Sequence, residues 1–195
     1  MTIHRALAAV ALLAAVPALA APSEPTLRAQ LDQLQALDTR VQSIGWRLAR
    51  ANARYCRQVA PGIGLALFDA AGFADPAAIR AALDLPSDIA VEAVAADSPA
   101  ERAGLHPRQP LDAVVGQKVS ALPAVPPGDY ARLVGLHDRI DAALLATGSA
   151  WFTDAAGHEI AVTGEPACVT RFEMTSAGSK AAADGHRVVI GRKLV

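Results

Sequence analysis

The sequence predicts an α+β protein built from a long N-terminal amphipathic helix, a small curved sheet of mostly antiparallel strands, and a short C-terminal β extension. Three observations lead there. Apolar residues from Leu27 to Tyr55 recur at spacings of three and four. Between Gln58 and Pro166, short aliphatic runs alternate with Gly and Pro turns, the pattern of short strands. Within that stretch, Ser98–Gly104 predicts a short helix and Tyr130–Gly148 a long one.

The chain has 195 residues, 52% of them hydrophobic and 4% aromatic, enough for one modest core with an appendage. Its formal charge is −1 and its eighteen Lys and Arg are scattered, so neither nucleic acid nor an acidic membrane surface is an expected partner. Residues 1–20 carry a basic start at His4 and Arg5, an apolar run from Ala6 to Val16, and Ala18-Leu19-Ala20 as a small-x-small cleavage site. That is the pattern of a signal peptide. The run is shorter than the roughly 20 residues of a spanning helix. A periplasmic or otherwise exported protein with no stable membrane anchor is expected.

Export bears on Cys56 and Cys168. They lie in no CxxC or Cys/His metal spacing, and in an oxidising compartment one structural disulfide is the natural pairing. Two buried free thiols are the alternative.

The helical stripe Leu27, Leu31, Leu34, Leu37, Val41, Ile44, Leu48, Ala51 and Tyr55 predicts one amphipathic helix over about Thr26 to Arg54, in a segment spanning 26–56. It packs on its own domain or pairs with a second copy. In 58–166, strands are expected at Leu65–Phe68, Ile89–Val94 and Leu111–Val115, and a hairpin over Ser149–Gly164. In "DSPAERAGL", Ser98 is placed to cap a helix, Pro99 to start it and Gly104 to end it in the left-handed conformation. A second amphipathic helix carries Tyr130, Leu133, Leu136, His137, Ile140 and Leu144 and stops at Gly148.

Around that short helix the sequence "VEAVAADSPAERAGLHPRQPLDAVVGQKV" resembles the centre of PDZ domains of the bacterial envelope-protease type. Ser98, Pro99, Ala100, Ala103, Gly104 and Leu105 match the family's helix, and Asp112, Val114 and Gly116 match the strand and turn after it. The chain departs at "HPRQPLD", where the family has a Gly-Asp pair. The resemblance implies a partly open antiparallel β-sandwich in which the short helix is a corner piece. It also implies a site for protein or peptide C-termini. Gly62, Ile63, Gly64 and Leu65 match the carboxylate-binding loop, and Tyr130, Leu133, Val134 and His137 would face it across a peptide groove. The other reading of these residues is an ordinary turn entering a strand and ordinary packing of a helix, with His137 held by a structural partner.

The C-terminal segment 167–195, with Ala181, Ala183, Asp184, Gly185, Val188 and Ile190, resembles the start of the peptidase domain in exported zinc metallopeptidases related to the CaaX prenyl protease group. Lys180 and Lys193 depart from that pattern. A zinc peptidase needs two His one helical turn apart with a Glu between them. The only His-Glu is in "HEIAV", where Val162 takes the second ligand position on an expected strand. No catalytic residue, metal site or cofactor is therefore assigned. The expectation is a non-catalytic, PDZ-like peptide-binding or regulatory region of a metallopeptidase-like protein. The alternatives are a stand-alone periplasmic interaction protein and a structural spacer without ligand.

Overall fold

The computed structural model describes residues 26–175, 178–184 and 187–195. The expected signal peptide over 1–20 lies outside the described residues, as do Gly185 and His186. In chain order the elements are α1 (Leu27–Ala51), β1 (Val59–Gly62), β2 (Leu65–Asp69), α2 (Pro76–Leu83), β3 (Ile89–Val94), α3 (Pro99–Arg102), β4 (Leu111–Val114) and β5 (Gln117–Lys118). They continue with α4 (Ala131–Thr147), β6 (Ser149–Asp154), β7 (Glu159–Thr163), β8 (Glu165–Cys168), β9 (Arg171–Thr175), β10 (Ala181–Ala183) and β11 (Arg187–Gly191). The chain is α+β, and its strand pairs are antiparallel except for β9 with β11.

Local chemistry sets these elements. Thr26 caps α1 by accepting from the Ala29 N–H. The helix ends at Ala51, short of the expected Arg54, because the Asn52 side chain donates to the Leu48 carbonyl and a 3₁₀ turn follows over Ala53–Tyr55. Ser98 accepts from the Glu101 N–H and Pro99 begins α3, while Gly104 takes φ +88° after it, as the sequence predicts. Gly148 ends α4 at φ +76°. An additional helix, α2, sits between β2 and β3, capped by Asp75 with Pro76 at its first position.

The strands enclose one main core of Ile89, Val91, Leu111, Val114, Phe152 and Val162, with Leu136, Ile140 and Leu144 of α4 packed into it. Ala100 of α3 and Leu105 just beyond it are buried in the same cluster, so the short helix serves as a corner. β4 lies between β5 and β6, and β6 pairs onward with β7. The chain entering β4 reaches β3 through a single bridge, Ala90 to Pro110.

β1 and β8 close the sheet region, with Val59 opposite Cys168 and Pro61 opposite Pro166. Two prolines can face each other only across a non-hydrogen-bonded pair, so their missing N–H groups cost nothing and the flanking pairs carry the ladder. Cys56 and Cys168 are joined in a disulfide with a Cα–Cα distance of 5.6 Å, closing a sequence separation of 112. β8 continues across position 166, where the sequence placed the end of the central segment.

Helix α1 docks on its own chain. Leu31 meets α2 and β3 residues, and Trp46 and Ala49 pack with Ala95 and Ala167. A Cβ on Gly45 would overlap the Phe172 ring, so only glycine admits β9 at this distance. Arg108 pairs with Asp32 and donates to Gln35, tying the turn before β4 to α1. The C-terminal sheet has the order β10-β11-β9, and β11 is its central strand rather than an open edge.

Between α1 and β3 stand Asp38 and Glu92, two half-buried carboxyls that hydrogen-bond each other. Burial pushes the Glu92 carboxyl up to about 8, with the Asp38 charge adding to it while Arg108 opposes. Burial likewise raises Asp38, to about 6. The folded pair therefore keeps a proton at pH values where the unfolded chain has lost it, which lowers stability as pH rises toward about 8 and levels off above.

Two outcomes are expected. Glu92→Gln should flatten the fall in melting temperature between about pH 5.5 and about pH 8.5; an unchanged slope would refute the shared proton. The oxidised protein should show no titratable thiol when denatured. Removing the bridge in a Cys56→Ala/Cys168→Ala double variant should cost up to about 4 to 5 kcal/mol in chemical denaturation, the chain-entropy value for a loop this long.

Candidate functional site

The expected binding loop runs straight from β1 into β2. Gly62 is the last residue of β1, opposite Glu165, and Leu65 is the first of β2. Ile63 between them is 5% exposed and belongs to the main core. Gly64 takes φ +67°, and a Cβ there would stand 2.5 Å from the Ser98 Cβ and 3.1 Å from that of Ala95. Glycine is thus required twice, by the backbone conformation and by the approach to α3.

The carbonyls of Ile63 and Gly64 are engaged and their amides are not. Ile63 O accepts from Ala100 N–H at 3.1 Å, and Gly64 O accepts from Ala95 N–H at 2.9 Å. Among the described residues neither the Ile63 nor the Gly64 N–H has an acceptor. Successive free amides in a turn are a common anion cradle.

Among the described residues β2 pairs with β3 alone, leaving its other edge toward α4. Val91, opposite Leu67, directs both its N–H and its C=O to Arg108 and Gln109 on the far side of β3. Leu67 and Val91 therefore form a non-hydrogen-bonded pair, and the Leu67 N–H points outward. Leu65 lies opposite Val94, next to the Gly64 to Ala95 bond, so its backbone groups share that free edge.

α4 supplies the facing wall. Tyr130 and Val134 are exposed, and Leu133 is half-buried against the core. His137 is half-buried, and its Nε2 accepts from the Leu67 N–H at 3.4 Å. Because Nε2 is the acceptor, the ring proton sits on Nδ1. Burial holds the imidazole down at about 4, with Arg171 adding to the effect while Asp141 and Asp138 oppose it, so the ring is neutral and able to accept. Arg171 itself bonds Asp141 at 2.6 Å, which brings β9 beside this helix.

At its N-terminal end α4 is anchored by charge. The Arg132 side chain is 6% exposed and lies 3.1 Å from the carboxylate of Asp69, which is 5% exposed and ends β2. Arg132 also reaches Asp88, which pairs with Arg80 of α2. Burial pushes the Asp69 carboxyl up, opposed by the Ala71 N–H and Arg132. This cluster was invisible in the sequence, where Arg132 and Asp69 are far apart and neither breaks an apolar pattern.

Of the eight expected residues, Gly62 to Leu65 link β1 to β2, and Leu133, Val134 and His137 lie on α4 with His137 bonded to β2, while Tyr130, just before α4, lies beside Gly72 past the far end of β2. His158 of "HEIAV" sits in the β6–β7 turn bonded to Asp154, and Glu159 begins β7. Among the described residues no group of three or more His, Cys, Asp and Glu side chains could hold a metal, and no helix is long and apolar enough to cross a membrane. Two hollows lie away from the loop, one of about 420 Å³ beside Thr175, Lys180 and Val189, the other of about 240 Å³ between α1 and β11. Compared with protein-family models, curated proteins and solved structures, the chain matches none.

Gly64→Val is expected to destabilise the whole domain. The left-handed conformation alone costs a non-glycine residue about 1 to 3 kcal/mol, and overpacking against Ser98 adds roughly as much. Thermal denaturation should show Gly64→Ala intermediate between wild type and Gly64→Val. Equal melting temperatures for all three would contradict the observed loop.

Proposed function

We propose that residues 58–166 form a PDZ-like module that takes the C-terminus of a protein or peptide. The ligand's carboxylate sits at the Ile63 and Gly64 amides, and its backbone adds as a strand to the free edge of β2, opposite α4. The observation that carries this reading is the continuity of the site: among the described residues, a loop with two free amides opens directly into a strand whose outer edge has no strand partner. The side chains beyond the loop suit an apolar ligand. Leu65 and Leu133 border the main core, and Val134 lies exposed on the rim.

The setting is periplasmic or otherwise exported, which the Cys56–Cys168 bridge supports. The module either presents peptides to a metallopeptidase-like part, as the resemblance of the C-terminal segment suggests, or acts alone as an interaction protein. The chemistry at the loop is the same in both cases.

The test compares three versions of apolar octapeptides by fluorescence polarisation: free carboxylate, C-terminal amide, and alternately N-methylated backbone. The free-carboxylate form should bind best, and the other two should lose most of the signal. Val134→Arg, at a side chain 49% accessible, should weaken binding without lowering the melting temperature. Equal binding of acid and amide forms, or none of either, would leave the module a spacer.

A further inference from the structure

The strongest feature that the peptide reading does not absorb is the bond from Leu67 N–H to His137 Nε2. Leu67 is the middle residue of β2, and its N–H is one of the outward donors that an added strand must use. In the ligand-free protein that donor is already taken by a side chain of the facing helix. From this we infer that His137 is an autoinhibitory latch: it holds α4 against the β2 edge, and a ligand strand must displace its imidazole from the Leu67 N–H to enter.

The inference rests on the peptide-groove reading and adds a regulatory step to it. Three observations support a latch over a plain packing contact. The bond is long, at 3.4 Å, so it is weaker than a ladder bond and exchangeable. His137 keeps partial exposure although its imidazole is desolvated, and Val134 and Asp138 beside it on α4 are exposed, so the solvent side of the helix lies next to the ring. The α4 N-terminus is fixed separately by Arg132 on Asp69, so release at His137 opens the middle of the groove and leaves the helix anchored.

The cost of displacing one weak hydrogen bond is small, and its removal is expected to tighten binding about threefold to tenfold.

The experiment uses the full mature chain in wild-type, His137→Ala and His137→Gln forms, with the free-carboxylate apolar octapeptides as probe and amide exchange at Leu67 as a ligand-independent readout. His137→Ala should bind the peptides about threefold to tenfold more tightly and exchange the Leu67 amide faster, while Phe68, bonded toward β3, keeps its protection. His137→Gln returns an acceptor and should restore the weaker binding. Wild type that binds peptide while His137→Ala binds equally or less would overturn the latch and leave the groove reading intact. No binding by either form would overturn both, with Leu67 exchange then reporting a purely structural histidine. Equal Leu67 exchange in wild type and His137→Ala would likewise overturn the latch.

Discussion

The closure of β1 on β8, covalently secured by the Cys56–Cys168 bridge, is the constraint on which the rest of the structure depends. It joins the end of α1 to the end of the central segment, so the two flanking parts of the chain leave the module side by side. Only because of that can α1 run past β3, β8 and β9 in turn, with Trp46 against Ala167 and Gly45 under Phe172. Without the bridge, a two-stranded ladder containing facing prolines would have to hold this junction through its few remaining bonds. A long-loop cross-link is well suited to that task, since most of its effect falls on the unfolded chain.

The second constraint is electrostatic and local to the groove. Arg132 and Asp69 are nearly dry, and a buried pair of this kind contributes little net stability against an apolar substitute while being costly to break. Its value here is positional: it fixes the start of α4 over the end of β2. The chain continues from Asp69 into a 3₁₀ turn whose Gly72 carbonyl accepts from Gly128 N–H, so the Pro-rich connection before α4 is tied to the same end of β2. Helix and strand are thus held together at one end by ions and turns and in the middle by His137.

Much of this was legible in the sequence where one residue carries one local role. Ser98, Pro99 and Gly104 mark α3 because caps are chemical requirements of a helix end, and Gly148 marks the end of α4 for the same reason. The positions of Gly62 to Leu65 between two strands and of Leu133 to His137 on a helix follow from the sequence pattern, while only the fold shows which amides are free. α2 was missed even though Asp75-Pro76 repeats the Ser98-Pro99 signal, because it is eight residues long and stops at Asp84 in the left-handed conformation instead of at a glycine. β1 and β8 were missed because Pro61 and Pro166 argue against strands until the two are seen opposite one another. Trp46 stood off the apolar stripe because α1 buries different faces along its length. The Asp38–Glu92 pair left no mark in the sequence because its members lie on different elements, and no spacing rule connects them.

What remains is why β2 should have an unpaired edge at all. An exposed strand edge invites association with other chains, and folded proteins normally cover or break it. Here the cover is a helix anchored by ions at one end, packed into the main core through Leu136, Ile140 and Leu144, and bonded to the edge itself through His137. That arrangement protects the edge against indiscriminate pairing, since on the proposed reading an incoming segment must displace His137 from the Leu67 N–H. It also leaves the edge recoverable, because the bond to Leu67 is exchanged rather than lost when another acceptor arrives. On the proposed peptide reading, the neutral imidazole bonded to Leu67 keeps that edge closed until a ligand's backbone replaces it.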